Sequence, residues 1–341
     1  MKRALALLAL LLAVPAAAAE PAKPLFADDS LIRLTIRGPV DQMARVAEKR
    51  PGPRAGTIAA GSESLPIMLS PRGITRLRRE TCQFPPLRVE FSSAPPATSL
   101  FAGQRRLKLV THCRPAEGFQ QHLLLEYAAY RLYNELTPRS FRVRLAQIDY
   151  VAEDGRPLTS RYGFFIEDTD DVGRRNGLRE ARMGERIPVS SLSPPDAARF
   201  GVFEYLIANL DWAMQAGPPG DDCCHNARLI SGGAGSPIVP VPYDFDFSGF
   251  VDAPYAVPPD QVRVSSVRQR HYRGFCRHNA QAIAAAAEIR ARRPALLAVL
   301  GQIPGLTATT LRKASAFLDK GFADIASDQA VADKLLRTCV G

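Results

Sequence analysis

Residues 240–250 read PVPYDFDFSGF, and the two carboxylates within it, Asp244 and Asp246, decide how the chain is interpreted. Tyr243, Phe245 and Phe247 surround them, so two charges are carried into a segment whose other side chains belong in a core. In an extended strand, side chains two residues apart share a face, which puts both carboxylates on one side and the three rings on the other. Like charges on one face repel, and either a cation between them or solvent must offset that cost.

Working outward, LIANLDW (206–212) brings Asn209 and Asp211 to the end of an apolar helical run, and HNARLI (225–230) opens a strand with His225 and Asn226. With Asp244 and Asp246 the order is Asp, Asn, Asp. Phosphoryl transfer uses such a set: one carboxylate takes the proton of the attacking group, while an amide oxygen and a second carboxylate hold magnesium against the phosphates. Two further parts would be a strand lysine reaching the phosphates and a helix glutamate holding that lysine. Lys108 in RRLKLVTH (105–112) and Glu126 in HLLLEYAAY (122–130) stand in that order. Each has a plain structural alternative, an outward-facing strand lysine and a solvated helix glutamate. No G-x-G-x-x-G occurs in the N-terminal half, which leaves AAGSES (59–64) and LSPRG (69–73) as weak candidates for a phosphate-covering loop. There is no G-x-S-x-G or H-E-x-x-H to support a hydrolase.

The flanking texture divides the chain in two. LIRLTI (31–36), LPIMLS (65–70), LRVEF (87–91) and LKLVTH (107–112) alternate with turn-rich pieces such as RPGPRAG (50–56) and SSAPPATS (92–99); this predicts strands and turns. Phe119, Leu123, Tyr127 and Tyr130 recur at helical spacing, with Pro138 as the stop. FRVRLAQIDYV (141–151) and SRYGFFIED (160–168) flank the turn EDGRP as a hairpin. SPPDAARFGVFEYLIANLDWAM (193–214) reads as a helix opened by Ser193 and two prolines. ARLIS (227–231) and PIVPV (237–241) form a second hairpin around SGGAGS, and helical texture follows beyond about Pro258. No internal repeat is visible. The expected fold is α+β and bilobal: a strand-rich N-terminal lobe with one main helix (20–168), a connection (169–189), and a helix-rich C-terminal lobe carrying the metal-site hairpin (190–341), with a ligand cleft between them.

In this order of pieces the chain resembles the spore-coat-H kinases, an atypical protein-kinase-like family, over about residues 31–251. The resemblance is carried by RLTIRG, QFPPLRVEF, FAGQRRLKLVTHC, LLLEYAAYRLYNEL, RVRLAQIDYVAEDG, YGFFIED, FEYLIANLDW, HNARLI and PYDFDFSGF. It implies a bilobal kinase-like fold, magnesium or manganese, a nucleotide triphosphate donor such as ATP, and a protein or other acceptor. It also implies roles: Asp211 as the catalytic-loop aspartate, Asn226 as a metal ligand, Asp244 as the metal-binding aspartate and Asp246 as a second candidate. The chain departs from the family between Asp211 and Asn226, which lie 15 positions apart with GPPGDDCC intervening, where the family has a tight turn. A non-catalytic, pseudokinase-like binding or envelope-assembly protein is the alternative.

The ends and composition bound these readings. MKRALALLALLLAVPAAAAEP (1–21) has the basic start, short apolar run and small residues of a cleaved secretory leader, expected over residues 1–19. About 320 residues would remain, in a periplasmic or secreted protein with no membrane span. The net charge of +10 becomes +8 without Lys2 and Arg3. The arginines, among them Arg76, Arg144 and Arg175, are scattered and form no stripe interleaved with aromatics, so nucleic acid is not an expected partner; most are expected at the solvated surface, with some serving an anionic ligand. Six cysteines in an exported chain point to disulfides; the sequence does not choose among the 15 pairings, and Cys82 with Cys113, which flank the strand-like N-terminal region, are a plausible pair. A metal site on Cys223, Cys224, His225 and His278 is the weaker alternative, because it lacks C-x-x-C spacing.

Overall fold

The computed structural model describes residues 19–341, so the leader expected over residues 1–19 lies, apart from Ala19, outside the described residues. Strand alternation in the first half builds a closed seven-stranded barrel in the order β1-β2-β3-β4-β5-β7-β6. Its strands are β1 (Ile32–Arg37), β2 (Arg54–Ala60), β3 (Glu63–Pro71), β4 (Leu87–Phe91), β5 (Arg106–Val110), β6 (Val143–Val151) and β7 (Pro157–Ile166). All neighbours are antiparallel except β1 and β6, whose parallel pairing from Ile32↔Ala146 to Arg37↔Val151 closes the barrel. Leu34, Ile36, Ile67, Leu69, Val89, Leu107, Leu109, Ile148 and Phe165 fill a single interior cluster. The RPGPRAG segment, expected as a turn, supplies the start of β2. Only Ile58 of that strand is buried, so the apolar alternation that would reveal it is missing.

The expected bilobal kinase-like arrangement is not what forms. Besides the closure of the barrel, the helix α2 (Gln120–Leu136) is not the private helix of an N-terminal lobe. Its Leu124, Tyr127, Ala128 and Tyr130 share one continuous core with β10 (Ile238–Pro242) and with the helices α4 (Pro194–Leu206), α5 (Asn279–Ala291), α6 (Arg293–Gly301), α7 (Ala308–Asp324) and α8 (Asp328–Lys334). A helix apolar on nearly every side must be enclosed on every side, and α2 is sandwiched between the barrel wall and the helical region. The N-terminal part also contains α1 (Val40–Arg45), which packs by Val40 and Met43 on the barrel cluster. The stretch expected as a bare connection carries α3 (Thr169–Arg175) and β8 (Arg179–Glu180). β8 joins β9 (Ala227–Ser231) and β10 in a separate three-stranded sheet ordered β10-β9-β8.

Three disulfides staple this frame: Cys82–Cys113, Cys223–Cys224 and Cys276–Cys339. Disulfides of this number are those of an oxidising compartment. Among the described residues, no helix is long and apolar enough to cross a membrane.

Candidate functional site

Three groups of polar side chains meet where β5, α2 and the segment after β10 come together. β10 ends at Pro242, and Asp244 takes a left-handed backbone with φ of 66°. The extended reading of PVPYDFDFSGF therefore fails after Pro242: a turn, not a pleat, orients the carboxylates. They still converge. Tyr243 and Phe245 pack in the core, the Tyr130 hydroxyl accepts the Asp244 main-chain N–H at 2.9 Å, and both carboxylates meet the same cation.

That cation is Arg76. Its Nη1 lies 3.0 Å from Glu126 Oε2, its Nη2 3.0 Å from Asp244 Oδ1 and its Nε 3.2 Å from Asp246 Oδ2. Glu126 and Asp246 are buried, whereas the Asp244 side chain is 29% exposed, making it the open side of the cage. Tyr255 donates a further hydrogen bond to Asp246 Oδ2 at 3.1 Å. Burial pushes the Asp246 carboxyl well above the usual range and raises Glu126, each opposed by Arg76. Burial also works against the charge of Arg76, but Asp246 and Glu126 more than offset it and hold the guanidinium protonated. One oxygen from each of Glu126, Asp244 and Asp246 lies within 4.8 Å of the others, a spacing of hard oxygen donors compatible with a divalent cation.

The second group holds Asp211. α4 stops at Leu206, earlier than the sequence pattern indicates, because Ala208 adopts φ of 52°. Asn209 Oδ1 then accepts the Asp211 main-chain N–H at 3.1 Å. His225 Nε2 is 2.7 Å from Asp211 Oδ1, and Asn226 Nδ2 donates to Asp211 Oδ2 at 2.9 Å and to its main-chain oxygen at 2.6 Å. The 15-position separation is thus bridged directly by side chains. The hydrogen bond to Asp211 raises the His225 pKa against the effect of its partial burial, and the charge of Asp244 adds to that rise. Asn226 has φ of 46°, and its carbonyl accepts the Tyr243 N–H at 3.1 Å, which ties the Asp211 group to the residue preceding Asp244.

The third group is cationic. Leu107 and Leu109 point into the barrel, so Lys108 points out of it, towards the core shared with α2. Its Nζ lies 5.0 Å from the centre of the Tyr243 ring. Arg228 stacks on the same ring at 5.2 Å, and Arg72 Nη2 donates to the Tyr243 hydroxyl at 2.6 Å. Lys108 makes no ion pair among the described residues. Burial, then Arg72 and Arg228, lower its pKa to about 8. A cavity of about 210 Å³ opens beside Lys108, with Arg88, Arg106 and Arg228 and the carboxylates Asp168 and Glu180 also in its wall.

The structure therefore brings Asp211 against Asn226, and Glu126 against Asp244 and Asp246, but it does not pair Lys108 with Glu126. Arg76 has taken that glutamate, since a guanidinium offers several donors in a fork where an ammonium offers one compact charge. The acidic triad takes its third carboxylate from Glu126, which was expected to hold Lys108, while Asn226 contacts Asp211. Sequence reasoning missed Arg76, Arg72, Tyr130 and Tyr255. Arg76, expected at the solvated surface, is 8% exposed; Arg144 is buried as well, and the side chain of Arg175 is largely covered by its pairing with Glu167. The available signal was LSPRGITRLRR, where Ile74 and Leu77 set apolar residues on either side of Arg76 in an arginine-rich loop. LSPRG contributes Arg72 to the site, whereas AAGSES forms the distant β2–β3 turn. The alternative metal site on Cys223, Cys224, His225 and His278 does not form: the cysteines are disulfide-bonded and His225 binds Asp211.

No protein-family model matches this chain, and no curated protein matches it.

Proposed function

We propose that the chain is an exported, metal-dependent transferase that moves a phosphoryl group from a nucleotide to a protein or other acceptor. The observation that carries this reading is the juxtaposition of an acidic cage (Glu126, Asp244, Asp246) with three cations around Tyr243, of which Lys108 has no carboxylate partner among the described residues. Phosphates placed against carboxylates need both features: cations for the free oxygens and a cation held by the carboxylates. The reading rests on these side chains and not on a kinase-like fold.

Asp244, Asp246 and Glu126 would hold magnesium or manganese, which when bound neutralises charge on the transferring phosphate. Asn226 donates its Nδ2 to Asp211, which leaves Oδ1 free as an additional oxygen donor. Lys108, Arg72 and Arg228 bind the phosphate chain. Asp211, oriented by His225 and Asn226, accepts the proton of the acceptor hydroxyl as its oxygen bonds to phosphorus and the bond from phosphorus to the leaving phosphate breaks. Export to the periplasm accords with the three disulfides.

The test is thermal unfolding with ATP and manganese, followed by transfer of labelled phosphate. The expected outcome is a rise in Tm that Asp244→Ala and Lys108→Met each abolish, and label transfer that Asp211→Asn removes. A wild-type Tm indifferent to ATP with either metal refutes the reading. One observation favours a second reading, a protein that binds without transferring: Arg76 already neutralises part of the cage. Nucleotide binding with no transfer to any acceptor would favour it.

A further inference from the structure

We infer that Arg76 is an exchangeable occupant of the carboxylate cage, so that a divalent cation binds more tightly together with a phosphate-bearing anion that receives the displaced guanidinium. This inference rests on the metal-holding part of the proposed function and adds a coupling between two ligands of the same site.

Arg76 uses Nη1, Nη2 and Nε on three different carboxylates, 168 positions from Asp244 and 50 from Glu126. The guanidinium thus stands among the same oxygens that a metal would take, and the two cannot share them. A single positive charge also leaves three carboxylates incompletely balanced. An ion of charge two balances them better, provided that the expelled arginine finds an anion of its own. That anion has a place: Arg72, four residues upstream, lies with Lys108 and Arg228 around Tyr243, and the charge of Asp244 reaches both Arg72 and Lys108.

The chain around Arg76 suits such an exchange. It lies in the connection between β3 and β4, which is pinned at one end by the Arg72 N–H to Pro86 carbonyl bond of 2.9 Å and at the other by the Cys82–Cys113 disulfide. Between these anchors, the main chain from Ile74 to Leu77 makes only local hydrogen bonds, such as Leu77 N–H to the Ile74 carbonyl. Ile74 is 70% exposed. The principal polar tie of this stretch to the rest of the protein is the Arg76 side chain itself, so its release need not break a strand or a helix.

The coupling is measured by equilibrium dialysis of the full chain against Mn2+, with the same concentration of inorganic pyrophosphate on both sides of the membrane or on neither, taking the excess Mn2+ on the protein side as bound and reading free Mn2+ by electron paramagnetic resonance in the protein-free compartment, for the wild type, Arg76→Gln and Arg76→Lys. Wild type is expected to bind Mn2+ roughly 10-fold or more tightly with pyrophosphate than without it, within the usual range of coupling between two sites. Arg76→Gln is expected to bind Mn2+ alone about 10-fold more tightly than wild type and to lose most of the pyrophosphate effect, because the residue that couples the two ligands is gone. Arg76→Lys, which keeps one positive charge but not the fork, is expected to lie between them and guards against a Gln variant that does not fold without metal. Two variants that bind Mn2+ no more tightly than wild type overturn the exchange while leaving the metal site intact. No Mn2+ binding by any of the three proteins, with pyrophosphate present or absent, overturns the metal-holding reading itself. Absence of phosphoryl transfer alongside the expected Mn2+ behaviour overturns only the transferase.

Discussion

Lys108 gives the most direct thermodynamic test of the site, because a buried lysine without a carboxylate partner should weaken the fold that contains it. Its pKa falls from the ordinary 10.5 to about 8, first through burial and then through Arg72 and Arg228. That difference corresponds to roughly 3 kcal/mol against the charged form, taking about 1.4 kcal/mol per tenfold change in equilibrium. The sign follows from proton binding. Between about pH 8 and 10.5 the unfolded chain holds the lysine proton and the folded chain does not, so stability rises with pH across this window. Below about pH 8 both states are protonated and the full penalty stands. Lys108→Met, which keeps the length and removes the charge, is therefore expected to be more stable than wild type at pH 7 by about 1–3 kcal/mol, the lower end allowing for relaxation of the site. The gap should close by about pH 10.5. Urea unfolding of both proteins at pH 7, 8.5 and 10 measures it. Pyrophosphate should narrow the gap at pH 7 by stabilising wild type alone, and this effect should fade as Lys108 loses its proton. A variant less stable than wild type at pH 7, or a difference independent of pH, would refute the view of Lys108 as an unpaired cation kept for an anionic ligand.

Two further outcomes test the frame of the site. The imidazole of His225, followed by NMR, should titrate above the ordinary 6.5 and return towards it in Asp211→Asn, because the 2.7 Å hydrogen bond is the main cause of the rise. Its stabilising contribution is complete below about pH 6.5 and is lost as pH rises through the folded-state value, so wild type and Asp211→Asn should differ more at pH 6 than at pH 9. Replacing both Cys276 and Cys339 by serine opens a loop of 63 positions and should cost about 4 kcal/mol, read as a fall in the urea midpoint; the local Mn2+ response of the cage should survive in whatever fraction remains folded.

Much of the local structure is legible along the chain. The alternation of LRVEF and LKLVTH becomes β4 and β5, FRVRLAQIDYV and SRYGFFIED become the β6–β7 hairpin around Gly155, and ARLIS with PIVPV becomes the β9–β10 hairpin. Each rests on a period of two and a turn residue within a few positions. The plausible Cys82–Cys113 pair also forms. Legibility fails where a pairing depends on distant partners. Nothing within β1 indicates that it runs parallel to β6, and nothing within α2 indicates whether its apolar surface faces the barrel or the C-terminal helices; it faces both. The site divides in the same way. Asp211, Asp244 and Asp246 stand out because each is a polar group set in apolar sequence, and Asn226 because it opens the strand ARLIS beside His225. Arg76 does not stand out, because an arginine in an arginine-rich loop looks like surface until the loop is folded over Glu126.

The sequence by itself determined that Asp244 and Asp246 sit among aromatic residues and that their like charges need either a cation or solvent to offset them, since burial of an unpaired carboxylate is costly wherever it occurs. Only the tertiary structure decided that a cation does so, and which one. Ion pairing selects partners by proximity in space, and the path of the β3–β4 connection, tethered by Cys82–Cys113, delivers a guanidinium from 168 positions away into the cage of Glu126, Asp244 and Asp246.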